Sequence, residues 1–413
     1  KYIFNLVIFT KNLKFSQIFH RLIKKHKRRA KLTTENANIR LQKNWVNVKS
    51  GYKIFDKNKI ISILNIPTQL SHVDWSSPNK SDLYKYNLHY FNYLDYENIF
   101  SKHLILNWID LNKNKFSIAW DPYPISLRII NWLKFLQKSK ITNKKILNSI
   151  KQQSLYLKNN LELDVLANHY LVNLKALTFY ACYFNDLKTK NEVTSLLEKE
   201  IKKQFLEDGE HYELSPMYHN IAVLDLLDIY NLLRFDSGTP YFSSELPILI
   251  KKAIKFSENI NHSPKEFTFI NDSCNNVAPD TTFLKNYAKD LDIELEDCAN
   301  KFLKIYKQSG FCVIKNNDLK VIFAANPAAP NYQIGHTHAD TLSIEISLKG
   351  KKIFTNAGIS TYESNKKREN ERSTTSKNTV TYGQKSSSYI ISSFRMGKRA
   401  NITNLEGLTS KNE

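Results

Sequence analysis

Three short stretches carry side chains whose types and spacing could do chemistry. Gly335-His336-Thr337-His338-Ala339-Asp340 alternates His, His and Asp. In an extended conformation alternate side chains share one face, so the three would converge as a metal-binding or acid–base set. Asp208-Gly209-Glu210-His211-Tyr212-Glu213-Leu214-Ser215-Pro216-Met217-Tyr218-His219 reads as a turn at Asp-Gly, then an N-cap at Ser215 with Pro216 at the first helical position. Tyr218 and His219 then fall in the first turn of a helix, whose positive end favours a nearby phenolate or substrate carboxylate. Leu166-Ala167-Asn168-His169-Tyr170 sets Asn and His into an apolar helical stretch, where buried polar groups need partners. Each has a plain structural alternative: a satisfied core histidine at His169, a capping segment whose aromatics pack, and a structural role for the His-x-His-x-Asp run.

The elements that must position these residues follow from periodicity. From about Ser16 to residue 300, apolar residues recur at 3- and 4-residue spacing, as in Ile125 to Leu133, Leu161 to Tyr183 and Ile221 to Leu233, which predicts helices. Many helices in a row, with no fixed-period repeat, predict a bundle or helical toroid rather than a regular solenoid. Near residue 309 the period changes. Phe311 to Ile314 and Leu319 to Phe323 predict a hairpin, and strands are expected at Thr341 to Leu348, Ile353-Phe354, Asn378 to Thr381 and Tyr389 to Ile391. The expectation is a helical domain over 1–305 and an antiparallel β domain over 306–413. The strands are few for a sandwich, so the β domain is expected to be small or incomplete at its C-terminus.

Composition narrows the function classes. The chain has 413 residues, 42% hydrophobic and 12% aromatic, too apolar for a disordered chain. Ten Gly and 11 Pro exclude fibrous classes. No apolar run approaches the length of a transmembrane helix. The four cysteines, Cys182, Cys274, Cys298 and Cys312, form neither a zinc pattern nor a disulfide framework. A net charge of +21, from 60 Lys and Arg against 39 Asp and Glu, favours an anionic partner: nucleic acid, anionic lipid or an acidic polysaccharide. The alternative is solvated charge dispersed over the surface. No nucleic-acid-binding motif is present. Residues 1–31 hold 10 Lys and Arg and no acid. Tyr2 to Phe9 is apolar but is followed by Lys11 and Lys14 with no small-residue cleavage site, a poor signal peptide.

In their order along the chain these motifs resemble the heparinase II/III-like polysaccharide lyases, which include heparin-sulfate and alginate lyases. Further similar stretches are Phe15 to Leu22, Leu83 to Phe91, Asp121 to Trp132 and Ser373-Thr374-Thr375-Ser376-Lys377-Asn378-Thr379-Val380. The resemblance implies an N-terminal (α/α) toroid followed by an antiparallel β-sandwich, and β-elimination at a uronic acid of an anionic polysaccharide. It implies that Asn168 and His169 neutralise the carboxylate, that Tyr218 acts as base or acid, and that His336 is its partner or a further neutraliser. His219, His338, Arg372 and Lys377 are implied in substrate binding. Metal-binding members use positions that here look like His338, Asn356 and Lys377. Asn is a weak zinc ligand and a protonated Lys is none, so no cofactor is expected and zinc is doubtful. Family resemblance implies a periplasmic location; a complete N-terminus would imply a cytoplasmic one. Two other functions stand beside the lyase: a non-catalytic polysaccharide-binding or surface-polysaccharide biosynthesis protein on the same fold, and a glycoside hydrolase. The latter would need two opposed carboxylates, with Glu162, Asp164, Glu210 and Glu213 as candidates.

Overall fold

The computed structural model describes residues 2–23, 38–113, 117–296, 302–383 and 385–407. The basic run at 24–31 lies outside the described residues. The helices are α1 (Tyr2–Lys11), α2 (Phe15–Ile23), α3 (Asp82–Tyr90), α4 (Ile99–Leu111), α5 (Pro122–Ser139), α6 (Lys144–Lys158), α7 (Ala167–Tyr183), α8 (Leu187–Gln204), α9 (Pro216–Leu233), α10 (Tyr241–Ser244), α11 (Leu246–Ile260), α12 (Thr281–Asp290) and α13 (Lys366–Arg372). The strands are β1 (Ile60–Ile63), β2 (Ile66–Gln69), β3 (Leu303–Tyr306), β4 (Phe311–Lys315), β5 (Leu319–Ala324), β6 (Ser343–Leu348), β7 (Lys351–Phe354), β8 (Ile390–Ser392) and β9 (Arg395–Met396). The chain divides into two compact units, one of residues 16–201 and 231–240, the other of residues 1–15, 202–230 and 241–413. This division differs from the helix-to-strand boundary expected at 305/306.

In the first unit the apolar periodicity gives α5 a wide buried face. Ile125, Ile129, Trp132, Leu133 and Leu136 are buried, and α5 packs against α3, α6 and α7. Asp121 precedes it, Pro122 opens it, and Lys140 closes it in the left-handed region. One cation is buried with this helix. Arg128 donates to Gln153 Oε1 (2.7 Å), His89 O (3.3 Å) and Ala119 O (2.8 Å), with its guanidinium 3.8 Å from the Trp108 ring centre. Trp108 Nε1–H donates to His89 Nδ1 at 3.0 Å. A small hairpin, β1–β2, interrupts the helical series. It turns through Leu64 and Asn65, both at positive φ, as tight two-residue hairpins require. The sequence offers no Asn-Gly there, and the hairpin is not legible from its pattern.

The second unit is built on an antiparallel sheet ordered β3-β4-β5-β6-β7. Alternation along β4 and β5 sends Phe311, Val313, Ile322 and Ala324 into one cluster with Phe256 and Ile260 of α11, and with Tyr306 and Leu214. Gly310 makes the β3–β4 turn possible: its φ is +80°, and a Cβ there would lie 2.2 Å from Ala325 O. The expected hairpin at 311–323 and the strands around 343–348 and 390–391 are present. Asn378 to Thr381 is not a strand; it is irregular chain tied to β6 through Ile344 N–H to Asn378 O, 3.0 Å.

His89 yields a pH prediction. Burial, reinforced by the nearby Arg128 charge, lowers its pKa to about 3, so it is neutral when folded. An unfolded His takes up a proton below about 6.5, so this contribution is complete above about pH 6.5 and is lost as pH falls towards 3. The urea midpoint should decline between pH 7 and 4, less steeply in His89→Gln. Identical pH slopes in the two proteins would refute the assignment.

Candidate active site

Within the second unit the sequence sets up the start of α9 as expected. Ser215 caps the helix: its Oγ accepts Tyr218 N–H (3.2 Å) and donates to Asp272 O (2.6 Å). Leu214, at φ +54°, kinks the chain just before it. Tyr218 and His336 are brought together, with rings face to face at 3.9 Å and 15°. His336 Nδ1 bonds to the Glu213 carboxylate. Its side chain is 16% exposed while that of Glu213 is 2% exposed, and Nε2 has no protein partner among the described residues. Tyr218 Oη lies 3.0 Å from Tyr362 Oη. Tyr362 in turn covers the Arg368 guanidinium (4.9 Å) and stacks on Phe394 (6.2 Å, 5°). Two stacked rings, a carboxylate-held imidazole with one nitrogen available and a pair of bonded phenols make a proton-transfer set.

A buried ionic chain lies under this set. Arg368 grips Asp272 with both ends, Nη1–Oδ1 2.5 Å and Nη2–Oδ2 2.8 Å. His338 Nε2 lies 2.6 Å from Asp272 Oδ1 and its Nδ1 lies 2.9 Å from Lys377 Nζ. Burial would raise the Asp272 carboxyl, but the Arg368 charge and the His338 hydrogen bond override it and hold the pKa far below the usual range. Burial, then the Lys377 charge, push His338 well down, so it is the neutral tautomer that donates from Nε2 and accepts at Nδ1. Burial, with the Asp272 charge, pushes the Tyr218 phenol up, so Tyr218 rests protonated.

Several expected site residues face inward instead. His-x-His-x-Asp is not extended, and its side chains take different partners: His336 meets Glu213, His338 meets Asp272 and Lys377, and Asp340 Oδ2 accepts Asn271 N–H (2.6 Å). Arg372 was expected to bind substrate; it is fully buried and donates to Thr337 O, Ile334 O and Ser392 O, so its fork is occupied by backbone. His219 is also fully buried, with Nε2 on Ala253 O (2.9 Å) and Nδ1 accepting His211 N–H (3.2 Å). His338 bonds Asp272 through Nε2 and Lys377 Nζ through Nδ1. All four are buried, and each is bonded within the chain.

The implied metal does not fit these residues either. Lys377 Nζ takes the Nδ1 lone pair of His338, and Asn356 Oδ1 accepts Asn378 N–H at 2.7 Å. A cationic donor cannot be a ligand, and among the described residues no group of three or more His, Cys, Asp or Glu could hold a metal ion.

In the helical unit, Asn168 and His169 begin α7. His169 Nδ1 is 2.9 Å from Glu162 Oε1, and its ring packs on Tyr123 at 4.4 Å. Asn173 ties down Glu162, accepting its N–H (2.9 Å) and donating to Oε2 (3.0 Å). The carboxyls proposed for a hydrolase are thus committed elsewhere: Glu162 to His169, and Glu213 to His336. Glu210 is fully buried, its pKa pushed well up by burial and by Asp208.

Residues 21–294 match the family model described as heparinase II/III N-terminus, and residues 300–413 match heparinase II/III-like, C-terminal. A heparin-sulfate lyase of Bacteroides stercoris is 24% identical over 245 residues, 53% of this chain and 36% of that protein. The chain therefore spans about a third of the length of this curated relative. The crystal structure of heparinase III superposes with a TM-score of 0.63 at 18% identity, covering 94% of this chain and 69% of that one. A second heparinase III structure gives 0.55 at 18% identity, over 76% and 58%. The fold is accordingly that of heparinase III, an (α/α) toroid followed by an antiparallel β-sandwich.

Asp272 generates the prediction of this site. Asp272→Asn leaves Arg368 buried without its counter-charge, which should cost about 3–5 kcal/mol in denaturant unfolding. A cost below about 1 kcal/mol, the range of exposed pairs, would show that the pair does not hold the site.

Proposed function

Because the chain belongs to the heparinase II/III family, we propose that it acts as a polysaccharide lyase, cleaving a uronate-containing anionic polysaccharide by β-elimination. The observation that carries this reading is the Tyr218–His336 stack, with Glu213 on one imidazole nitrogen and Tyr362 on the phenol. The reaction needs a base at C5, an acid at the departing O4 and neutralisation of the uronate carboxylate. A phenol kept protonated by burial suits the acid: Tyr218 donates to O4 and regains its proton through Tyr362. His336 Nε2, oriented by Glu213 in the manner of a carboxylate–histidine pair, removes the C5 proton. Asn168 and His169 are assigned to carboxylate neutralisation on sequence resemblance. The net charge of +21 favours capture of a polyanion.

We also note that no helix among the described residues is long and apolar enough to cross a membrane.

The test is incubation with a panel of uronate polysaccharides, following the ultraviolet absorbance of unsaturated ends. Tyr218→Phe should lower kcat by about 100-fold or more, as general-acid removal does, with KM within about threefold. Retained turnover in Tyr218→Phe would move the acid elsewhere. Binding of the polysaccharides without any unsaturated product would favour a non-catalytic binding protein.

A further inference from the structure

The positions where family resemblance implies a metal hold the wrong atoms for one, and the structure shows what they hold instead. Lys377 follows a short 3-10 turn, Thr374–Ser376, and its side chain is buried. Its Nζ lies 2.9 Å from His338 Nδ1. The other nitrogen of His338 is committed to Asp272, and Asp272 to Arg368. Asn356 is fixed by Asn378 N–H on its oxygen and by Ser343 Oγ on its nitrogen (3.3 Å). His338, Asn356 and Lys377 are thus each already bonded within the chain.

We propose that Lys377 supplies this site with a built-in cation, that its ammonium group does the orienting work of a metal ion on His338, and that the protein is metal-independent. The charges are arranged for it. The buried line runs Lys377, His338, Asp272, Arg368, so one carboxylate is shared between two cations through a neutral imidazole. Burial lowers the Lys377 pKa, and the buried Asp340 carboxyl nearby opposes that shift. An ammonium is a compact point charge with three donors and no acceptor, so it fixes the His338 tautomer as a metal on Nδ1 would, without needing further ligands. Removing it would leave His338 Nδ1 buried and unsatisfied.

The experiment uses the full chain, purified with and without chelator and then supplied with zinc, and reads metal content by mass spectrometry together with the melting temperature. Wild type should carry no stoichiometric metal, and its melting temperature should be the same in chelator and in zinc. Lys377→Met should melt lower by roughly 5 °C or more, since a buried partner is lost, and zinc should not restore it. Lys377→Arg, which keeps the charge, should lose less. If Lys377→Met does not accumulate as folded protein, Lys377→Gln, which keeps a donor but no charge, should show the drop. One tightly bound ion per chain, a chelator-induced fall in wild-type melting, or a Lys377→Met protein that melts like wild type would each overturn the proposal. None of these readouts depends on turnover, so the inference goes beyond the lyase reading and survives or fails apart from it.

Discussion

A carboxylate sealed from water needs a partner for each oxygen, and in the sheet-bearing unit that constraint falls on Asp272. Its side chain is fully buried and held by both arms of Arg368. The surrounding backbone is equally committed. Asp272 N–H donates to His336 O (3.0 Å), Ser215 Oγ donates to Asp272 O, and Asn271 bonds Leu214 O (2.7 Å) and His338 N–H (2.9 Å). Three segments distant in sequence, the start of α9, the 335–340 stretch and α13, therefore meet on residues 271–272. The stacking of Tyr218 on His336 is a consequence, because each ring leaves a backbone that this hub has already fixed. A buried ion pair is weak evidence for stability taken alone, but breaking one half is costly. Here the cost falls on the geometry of the candidate acid and base.

The same segment contains two Glu–His arrangements with opposite characters. Glu210 and His219 are both fully buried and 3.7 Å apart, beyond hydrogen-bond reach. Burial pushes Glu210 up and His219 down to about 3, so it favours the neutral form of each. Glu213 and His336 are directly bonded, and His336 keeps one edge open to solvent. Water access and a direct bond, more than residue type, set the two pairs apart.

Legibility in the sequence followed the range of the signal. Apolar periodicity located α5, α7 and α9, and Ser215-Pro216 marked the start of α9 to the residue, because a cap and its helix are neighbours in the chain. The β4–β5 hairpin was legible for the same reason. His-x-His-x-Asp was misread because alternation places side chains on one face only in a strand, and 335–340 is irregular. Arg372 and His219 looked like ligand groups because sequence does not show which distant carbonyls will occupy their donors. Asp272, Arg368 and Tyr362 carried no pattern: their partners are up to 144 residues away, and a loop tyrosine has no period to betray it. Asn378 to Thr381 has strand-forming residues, but the chain there is irregular and bonds Ile344 and Thr341 through Asn378 and Thr379.

Backbone strain adds an independent argument for the helical unit's pair. Leu166 sits at φ 63° and ψ −149°, and Ala167 at φ 52°. Such conformations are nearly closed to residues with a Cβ and cost about 1–3 kcal/mol each. They persist only where the surroundings over-determine them. Those surroundings are visible: Leu166 N–H donates to Glu162 O (2.7 Å), Tyr170 N–H to Leu166 O (3.3 Å), and the Glu162 side chain is pinned by Asn173 and His169. Glycine would relieve the strain at either position, but at Leu166 it would also remove a buried core side chain. What the twist does accomplish is to start α7 abruptly, so that Asn168 and His169 occupy its first turn, with His169 against Glu162 and Tyr123. The first turn of a helix presents backbone N–H groups and the positive end of the dipole. The strained entry thus delivers an amide and an imidazole to the positive end of α7.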